Sequence, residues 1–212
     1  MEKSEVKLNY SHSNYLFYIP TAFHNCTLDN FDWRDQSPLL YNGVKSFIEG
    51  EIRGLYLHGM YGVGKTHLLV ALYRVLLAQE DDVSDIYYIN FEELIHEVQS
   101  KLDIKEPVTE YLDIFCEVGT LFMDDITATL TVRGKQTNQD EILRKIINKR
   151  YENELSTCFT SNLSLSQLIK DELLHPHAVS RIQGMCVSLL VKGKDRRNVR
   201  GKHAGRGTGS SL

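Results

Sequence analysis

The sequence predicts an α/β fold, a five-stranded parallel sheet layered between helices. Three observations carry that prediction. Short apolar runs of strand length alternate with longer segments of helical period. A glycine-rich turn, Gly59-Met60-Tyr61-Gly62-Val63-Gly64-Lys65-Thr66, joins the first run to a strongly apolar helix. Polar residues collect where the runs end. Strand–helix alternation favours parallel pairing through right-handed crossovers. A chain of 212 residues with 42% hydrophobic content suits one core of ordinary size.

Residues 1–22 are polar and tyrosine-rich, broken by Pro20, and read as an arm without a core of its own. Phe23, Leu28 and Phe31 then supply apolar side chains able to pack on the main domain. A helix over 38–49 leads into the first strand, 54–58. The helix after the glycine turn runs over 66–77. Asp81 and Asp82 make an acidic turn, and 86–90 is a second buried strand. Asn90 is placed to cap a helix over 91–102, whose apolar positions Phe91, Leu94, Ile95, Val98 and Leu102 keep the helical period. Pro107 interrupts it, and 108–118 resumes a helix.

The third strand, 119–125, ends in the pair Asp124-Asp125. A polar loop over 127–139 carries Arg133, Gly134 and Lys135. A helix over 140–154 leads to the fourth strand, 157–162, which ends in Ser161 and Asn162. Ser164 opens a short helix to 171. His175-Pro176 separates it from a helix over 178–183, and 185–191 is the last strand. Residues 201–212 are rich in Gly and Ser, a composition of disorder.

The glycine turn has a definite chemistry. It reads G-x-x-x-x-G-K-T between a strand and a helix. Glycines let the backbone approach phosphate oxygens, and inward N–H groups and the helix N-terminus attract the anion. Gly59, Tyr61, Gly62, Val63, Gly64 and His67 line this candidate cradle. Lys65 reaches the outer phosphates, and the Thr66 hydroxyl holds Mg²⁺. Asp124, at the end of an apolar strand, is the second candidate for holding the metal, directly or through water. Asp125 is placed to polarise an attacking water, although aspartate also favours helix N-caps. Asn162 either orients that water or makes an Asx-type turn. Arg181 either serves a neighbouring molecule's transferring phosphoryl group or lies on an exposed helix surface. Ligands of parallel sheets bind beyond the carboxyl ends of strands, where the loop, both aspartates and Asn162 all fall.

Charge and cysteine content narrow the classes further. The net charge is −4 and names no partner. From Lys192 onward there are seven Lys or Arg against one Asp, which is either a nucleic-acid contact or a solvated tail. Four scattered cysteines, Cys26, Cys116, Cys158 and Cys186, make neither a zinc pattern nor a disulfide framework. Cys158 and Cys186 lie in apolar runs and read as core thiols. With neither a signal-like segment nor a membrane-length apolar run, the expected location is cytoplasmic.

The ordered set of motifs, Gly59 to Thr66, Met123-Asp124-Asp125-Ile126, Thr160-Ser161-Asn162-Leu163 and Ser180-Arg181-Ile182, resembles the AAA+ ATPases of the DnaC/DnaI/IstB-like replicative helicase loader group. The resemblance covers residues 23–197, an AAA+ ATPase domain between the arm of 1–22 and a tail of 198–212. It implies a P-loop NTPase with an AAA+ RecA-like core, using ATP and Mg²⁺. Lys65 and Thr66 match Walker A, Asp124 and Asp125 Walker B, Asn162 sensor 1, and Arg181 the arginine finger. Loaders often carry aspartate at the second Walker B position, where most AAA+ proteins have glutamate. Asp195-Arg196-Arg197 falls where the group has serine-tyrosine-arginine, so the resemblance implies a nucleotide or neighbour contact for Arg197, with the two preceding residues changed. Residues 91–117 match the insertion that contacts single-stranded DNA, with Lys101 and Lys105 as its lysines. The resemblance also implies self-association with ATP and a replicative DNA helicase as partner. Loaders usually carry a separate N-terminal domain that grips the helicase, and about 22 residues stand before the core here.

Three other readings share these motifs. A transposition helper of the same fold prefers duplex DNA. A small-molecule kinase needs an arginine-bearing lid, and Arg196, Arg197 and Arg200 sit too near the tail to form one. An ATP-sensing module binds nucleotide without hydrolysing it.

Overall fold

The computed structural model describes residues 19–79, 85–128, 130 and 138–196. The first 18 residues, the loop with Arg133, Gly134 and Lys135, the acidic pair Asp81-Asp82, Arg197 and the tail lie outside the described residues. The elements run in the order α1 (Pro38–Ile48), β1 (Gly54–His58), α2 (Lys65–Gln79), β2 (Ile86–Asn90), α3 (Phe91–Asp103), α4 (Val108–Glu117), β3 (Thr120–Asp124), α5 (Asn138–Glu152), β4 (Ser156–Ser161), α6 (Leu165–Lys170), α7 (Pro176–Met185) and β5 (Val187–Leu190).

Local chemistry explains most boundaries. Ser37 accepts from the Leu40 amide with Pro38 in the first turn, so α1 starts there. Asn90 accepts from the Glu92 and Glu93 amides and caps α3. Ser164 and Gln167 form a reciprocal capping box on α6. The last strand differs from expectation. Met185 ends α7, and the pairing of β5 begins only at Val187. Leu102 also departs from its apolar pattern, being 47% exposed at the end of α3.

The sheet order is β2-β3-β4-β1-β5, with every pairing parallel. Alternation along the strands divides the core. Leu55, Leu57, Tyr88, Phe122 and Cys158 face α1 and α2. Tyr56, Ile89, Leu121, Met123 and Phe159 face the layer that contains α3 to α7. Phe31 is buried in the first of these clusters, with Phe23 and Leu28 packed against it. Ile19, assigned by sequence to the arm, is only 2% exposed in the same cluster.

Arg150 of α5 is fully buried, and its guanidinium donates to the carbonyls of Phe115, Val118, Gly119 and Ser156 and to Thr157 Oγ1. It ties the starts of β3 and β4 to the end of α4. Burial lowers its pKa to about 10, which still leaves it charged at neutral pH. All four cysteines are free and buried. Burial raises the Cys158 and Cys186 thiols, which keeps them unreactive. Among the described residues, no helix is long and apolar enough to cross a membrane.

Register brings the functional ends of the strands together. His58 stands opposite Ser161, Leu57 opposite Thr160, and Asn90 opposite Asp124. The turn after β1, the pair after β3 and Asn162 after β4 therefore share one edge of the sheet.

Candidate nucleotide site

The turn between β1 and α2 is a backbone cradle. Gly62 and Gly64 have φ of 74° and 107°, the left-handed side where a side chain is strained. A side chain would also be crowded there. A Cβ on Gly62 would lie 2.0 Å from Asp195 Oδ1, and one on Gly64 would lie 3.1 Å from the Phe31 ring. Val63 is buried, whereas Met60 and Tyr61 are exposed. Lys65 opens α2 and is 8% exposed. Its Nζ donates to the carbonyls of Gly59 and Met60 and to Asn162 Oδ1, each at 2.8 Å. A buried ammonium held by two loop carbonyls and one side-chain amide is a positive charge fixed at the glycine turn.

Asp124 is 4% exposed at the end of β3. Thr66 Oγ1 donates to its Oδ1 at 3.2 Å, and Thr160 Oγ1 donates to the same oxygen. Tyr88 of β2 donates to Oδ2 at 3.1 Å. Burial raises the Asp124 pKa, and the three hydroxyls oppose that shift. A hydroxyl and a carboxylate oxygen at this separation are hard ligands of the type magnesium takes. The donor set fits Mg²⁺, with Thr66 and Asp124 as the residues that would hold it.

Asp125 has φ 49°, a left-handed conformation that aspartate tolerates. Its amide donates to Thr160 Oγ1 at 2.8 Å. Its Oδ1 accepts from Asn162 Nδ2 and from Thr127 Oγ1, both at 3.1 Å. The Asn162 amide donates to Thr127 Oγ1 at 3.2 Å. Residues 126–128 form a turn rather than the first turn of a helix, so Asp125 is not a helix N-cap. His58, at the end of β1, is shifted down by burial and then by the Lys65 charge, which favours its neutral form.

The remaining predicted residues lie farther out. His67 turns toward the N-terminal segment, with Nε2 3.0 Å from the Thr27 carbonyl and its ring 5.5 Å from that of Phe31. Arg181 lies on α7 with Nη2 3.8 Å from Glu152 Oε1 and its guanidinium 5.8 Å from the Tyr151 ring. Both partners belong to the end of α5, the turn that leads into β4, away from the edge that carries Asn162. Lys101 is occupied by Glu106 at 3.2 Å and lies over the Tyr111 ring. Sequence reasoning missed Tyr88, Thr160 and Thr127 as groups touching the two aspartates. Only Thr160 left a signal, two residues before Asn162 on an apolar strand.

A parallel α/β/α sheet in this strand order, with a lysine-bearing glycine loop, an acidic strand end and a polar strand end on one edge, defines an AAA+ P-loop NTPase. The chain belongs to the family of the bacterial DnaA ATPase domain, whose model matches residues 43–186. Its likenesses also fall in the DnaC/DnaI-like AAA+ group. The replicative helicase loader DnaI of Bacillus subtilis (strain 168) is 28% identical over 197 residues, covering 85% of this chain and 61% of that protein. The chromosomal replication initiator DnaA of Pseudothermotoga lettingae is 31% identical over 144 residues, covering 68% of this chain and 30% of that protein. This chain thus spans less than two thirds of either relative. A crystal structure of the DnaC helicase loader superimposes with a TM-score of 0.67 at 27% identity, covering 82% of this chain and 100% of that chain. A DnaA structure bound to AMPPCP and single-stranded DNA shares the fold, with a TM-score of 0.66 at 20% identity over 84% of this chain and 52% of that chain.

Proposed function

We propose that the chain binds magnesium–ATP at this loop, hydrolyses it slowly, and works as a helicase-loader-like AAA+ protein. In that reading it self-associates with ATP, contacts single-stranded DNA and acts on a replicative DNA helicase. One observation carries the nucleotide part. Lys65 donates to Asn162 at 2.8 Å, and Asn162 donates to Asp125 at 3.1 Å. A phosphate-reaching cation, a polar orienter and a carboxylate base are thereby coupled through single hydrogen bonds.

Bound magnesium neutralises charge on the outer phosphates. The chain's own groups do the rest. Loop amides and Lys65 hold the phosphates, and Thr66 and Asp124 hold the metal. Asp125 accepts a proton from water as its oxygen bonds to the γ-phosphorus, and Asn162 fixes that water. The bond from the γ-phosphorus to the bridging oxygen breaks, and ADP leaves. Arg181 faces away from its own loop and is assigned to the site of an adjoining subunit. Arg197 is assigned a further nucleotide or neighbour contact, one residue beyond Arg196.

The partner assignment draws on the relatives' names, replicative helicase loader and replication initiator. Lys105, at the turn between α3 and α4, is the more available cation for single-stranded DNA, because Lys101 is paired. The test is sedimentation and phosphate release, with ATP, single- or double-stranded DNA and a bacterial replicative helicase added in turn. ATP-dependent assembly and helicase-stimulated release support the reading. An unchanged monomer under every condition overturns it, and tight duplex binding without helicase contact favours the transposition helper.

A further inference from the structure

The segment after β5 crosses the phosphate loop and meets the N-terminal segment on its far side. The Val191 amide donates to the His58 carbonyl at 2.7 Å, which brings the segment to the start of the loop. The Arg196 amide donates to the Gly62 carbonyl at 3.1 Å. The Arg196 guanidinium lies 3.3 Å from Asp32 Oδ2 and 5.8 Å from the centre of the Phe31 ring. Asp32 is shared, since Arg34 also binds its carboxylate at 2.9 Å. Phe31 in turn packs on Gly64, with its ring 3.1 Å from where a Cβ there would stand. Beside this, the Gln36 side chain donates to the Lys192 carbonyl at 2.7 Å and accepts from the Lys192 amide at 3.0 Å, across 156 residues of sequence.

The bond from the Arg196 amide to the Gly62 carbonyl matters most. A trans peptide is planar, with its C=O and N–H pointing opposite ways. A donor that holds the Gly62 carbonyl fixes the plane of the Gly62–Val63 peptide and aims the Val63 N–H away from Arg196. Glycine-rich loops are otherwise free to rotate such planes, and anion binding must then order them. We infer that Arg196 is a positioning residue for the nucleotide site, its main-chain N–H presetting the phosphate loop while its guanidinium, gripped by Asp32 and Phe31, holds that N–H in place. This rests on the reading of the loop as a nucleotide site. It differs from a direct phosphate contact, because Arg196 spends its side chain on the N-terminal segment.

The test is titration of the full chain with fluorescent ATP and ADP analogues, with thermal melting recorded for each variant. Arg196→Ala removes the grip and weakens both analogues by about three- to tenfold, the worth of one hydrogen bond. Arg196→Pro also removes the donor and weakens them further. Arg196→Lys keeps the charge and the main-chain donor but loses the planar contact with Phe31, so its affinity falls between those of the native chain and Arg196→Ala. The loss falls on KM, and kcat at saturating ATP changes by less than about twofold in Arg196→Ala, a split that general destabilisation does not produce. Should Arg196→Pro fail to fold, Arg196→Ala carries the test, with faster hydrogen exchange at the Val63 amide as its second readout. Native affinity in Arg196→Ala overturns the inference and leaves the site reading standing. An Arg196→Lys variant as weak as Arg196→Ala overturns the side-chain grip. A native chain that binds neither analogue overturns both readings.

Discussion

Lys65 and Asn162 are 97 residues apart in sequence and 2.8 Å apart at their polar atoms. The parallel pairing of β1 with β4 makes that contact, because His58, which leads into the loop that ends at Lys65, and Ser161, which precedes Asn162, are register partners. The pair predicts a division of labour. Lys65→Ala should weaken ATP binding by more than about thirtyfold, since it removes a charge-assisted contact. Asn162→Ala should bind ATP within about threefold of the native chain yet hydrolyse it about 10²–10³ times more slowly. Equilibrium titration beside single-turnover phosphate release measures both. An Asn162→Ala variant with native turnover would remove the orienting role.

Asp125 sits in a left-handed conformation with its Oδ1 held by Asn162 and Thr127. Asp125→Asn should keep nucleotide affinity and lose about 10²–10⁴ in hydrolysis rate, the range of a general base. ATP-driven assembly should survive in this variant and persist longer. If Asp125→Asn turns over normally, the chain is better read as relying on another base.

Asp124 carries a cost in the free protein, because burial disfavours its charge. Its folded pKa lies above the unfolded value, so folding takes up a proton between the two. The native chain therefore loses stability as pH rises from about 3.8 toward the raised value, and Asp124→Asn does not. At pH 7 without magnesium, Asp124→Asn should melt higher than the native chain while losing magnesium-dependent binding. The gap should close as the pH is lowered. A lower melting temperature at pH 7 would mean that the three hydroxyls around Asp124 fully offset its burial.

Much of this arrangement was legible in local sequence, and the reasons are local. The Ser164 and Asn90 caps act within three residues of themselves, and the glycine loop announces its flanks. Leu102 misled because helical period says nothing of where a helix outruns its neighbours, and it ends α3 exposed. Met185 and Cys186 read as strand because they are apolar, yet Met185 closes α7 and the Cys186 amide still bonds the Ile182 carbonyl. Arg150 gave no signal, since its five acceptors come from segments joined only in the fold. The crossing of the phosphate loop by Arg196 was equally hidden, because it depends on β5 pairing beside β1. Pairwise register decides such contacts, and no periodicity encodes it.

Arg181 allows the sharpest separation of roles. Its ion pair with Glu152 is solvent-accessible at 3.8 Å, with the two side chains 32% and 54% exposed. Such a pair is worth about 0–1 kcal/mol, so Arg181→Ala should melt close to the native chain. If Arg181 instead acts on an adjoining subunit's nucleotide, the variant should keep ATP affinity and lose about 10³ in hydrolysis within assemblies. Mixing then decides. Arg181→Ala supplies intact loops without the arginine, and Lys65→Ala supplies the arginine without a working loop. Equal mixtures of the two inactive variants should recover hydrolysis at interfaces where a good loop meets a good arginine. Recovery requires the arginine to work across the interface, because neither chain holds both groups. Mixtures as inactive as their parents, under conditions where sedimentation shows co-assembly, would leave Arg181 as a surface arginine held by Glu152 and Tyr151.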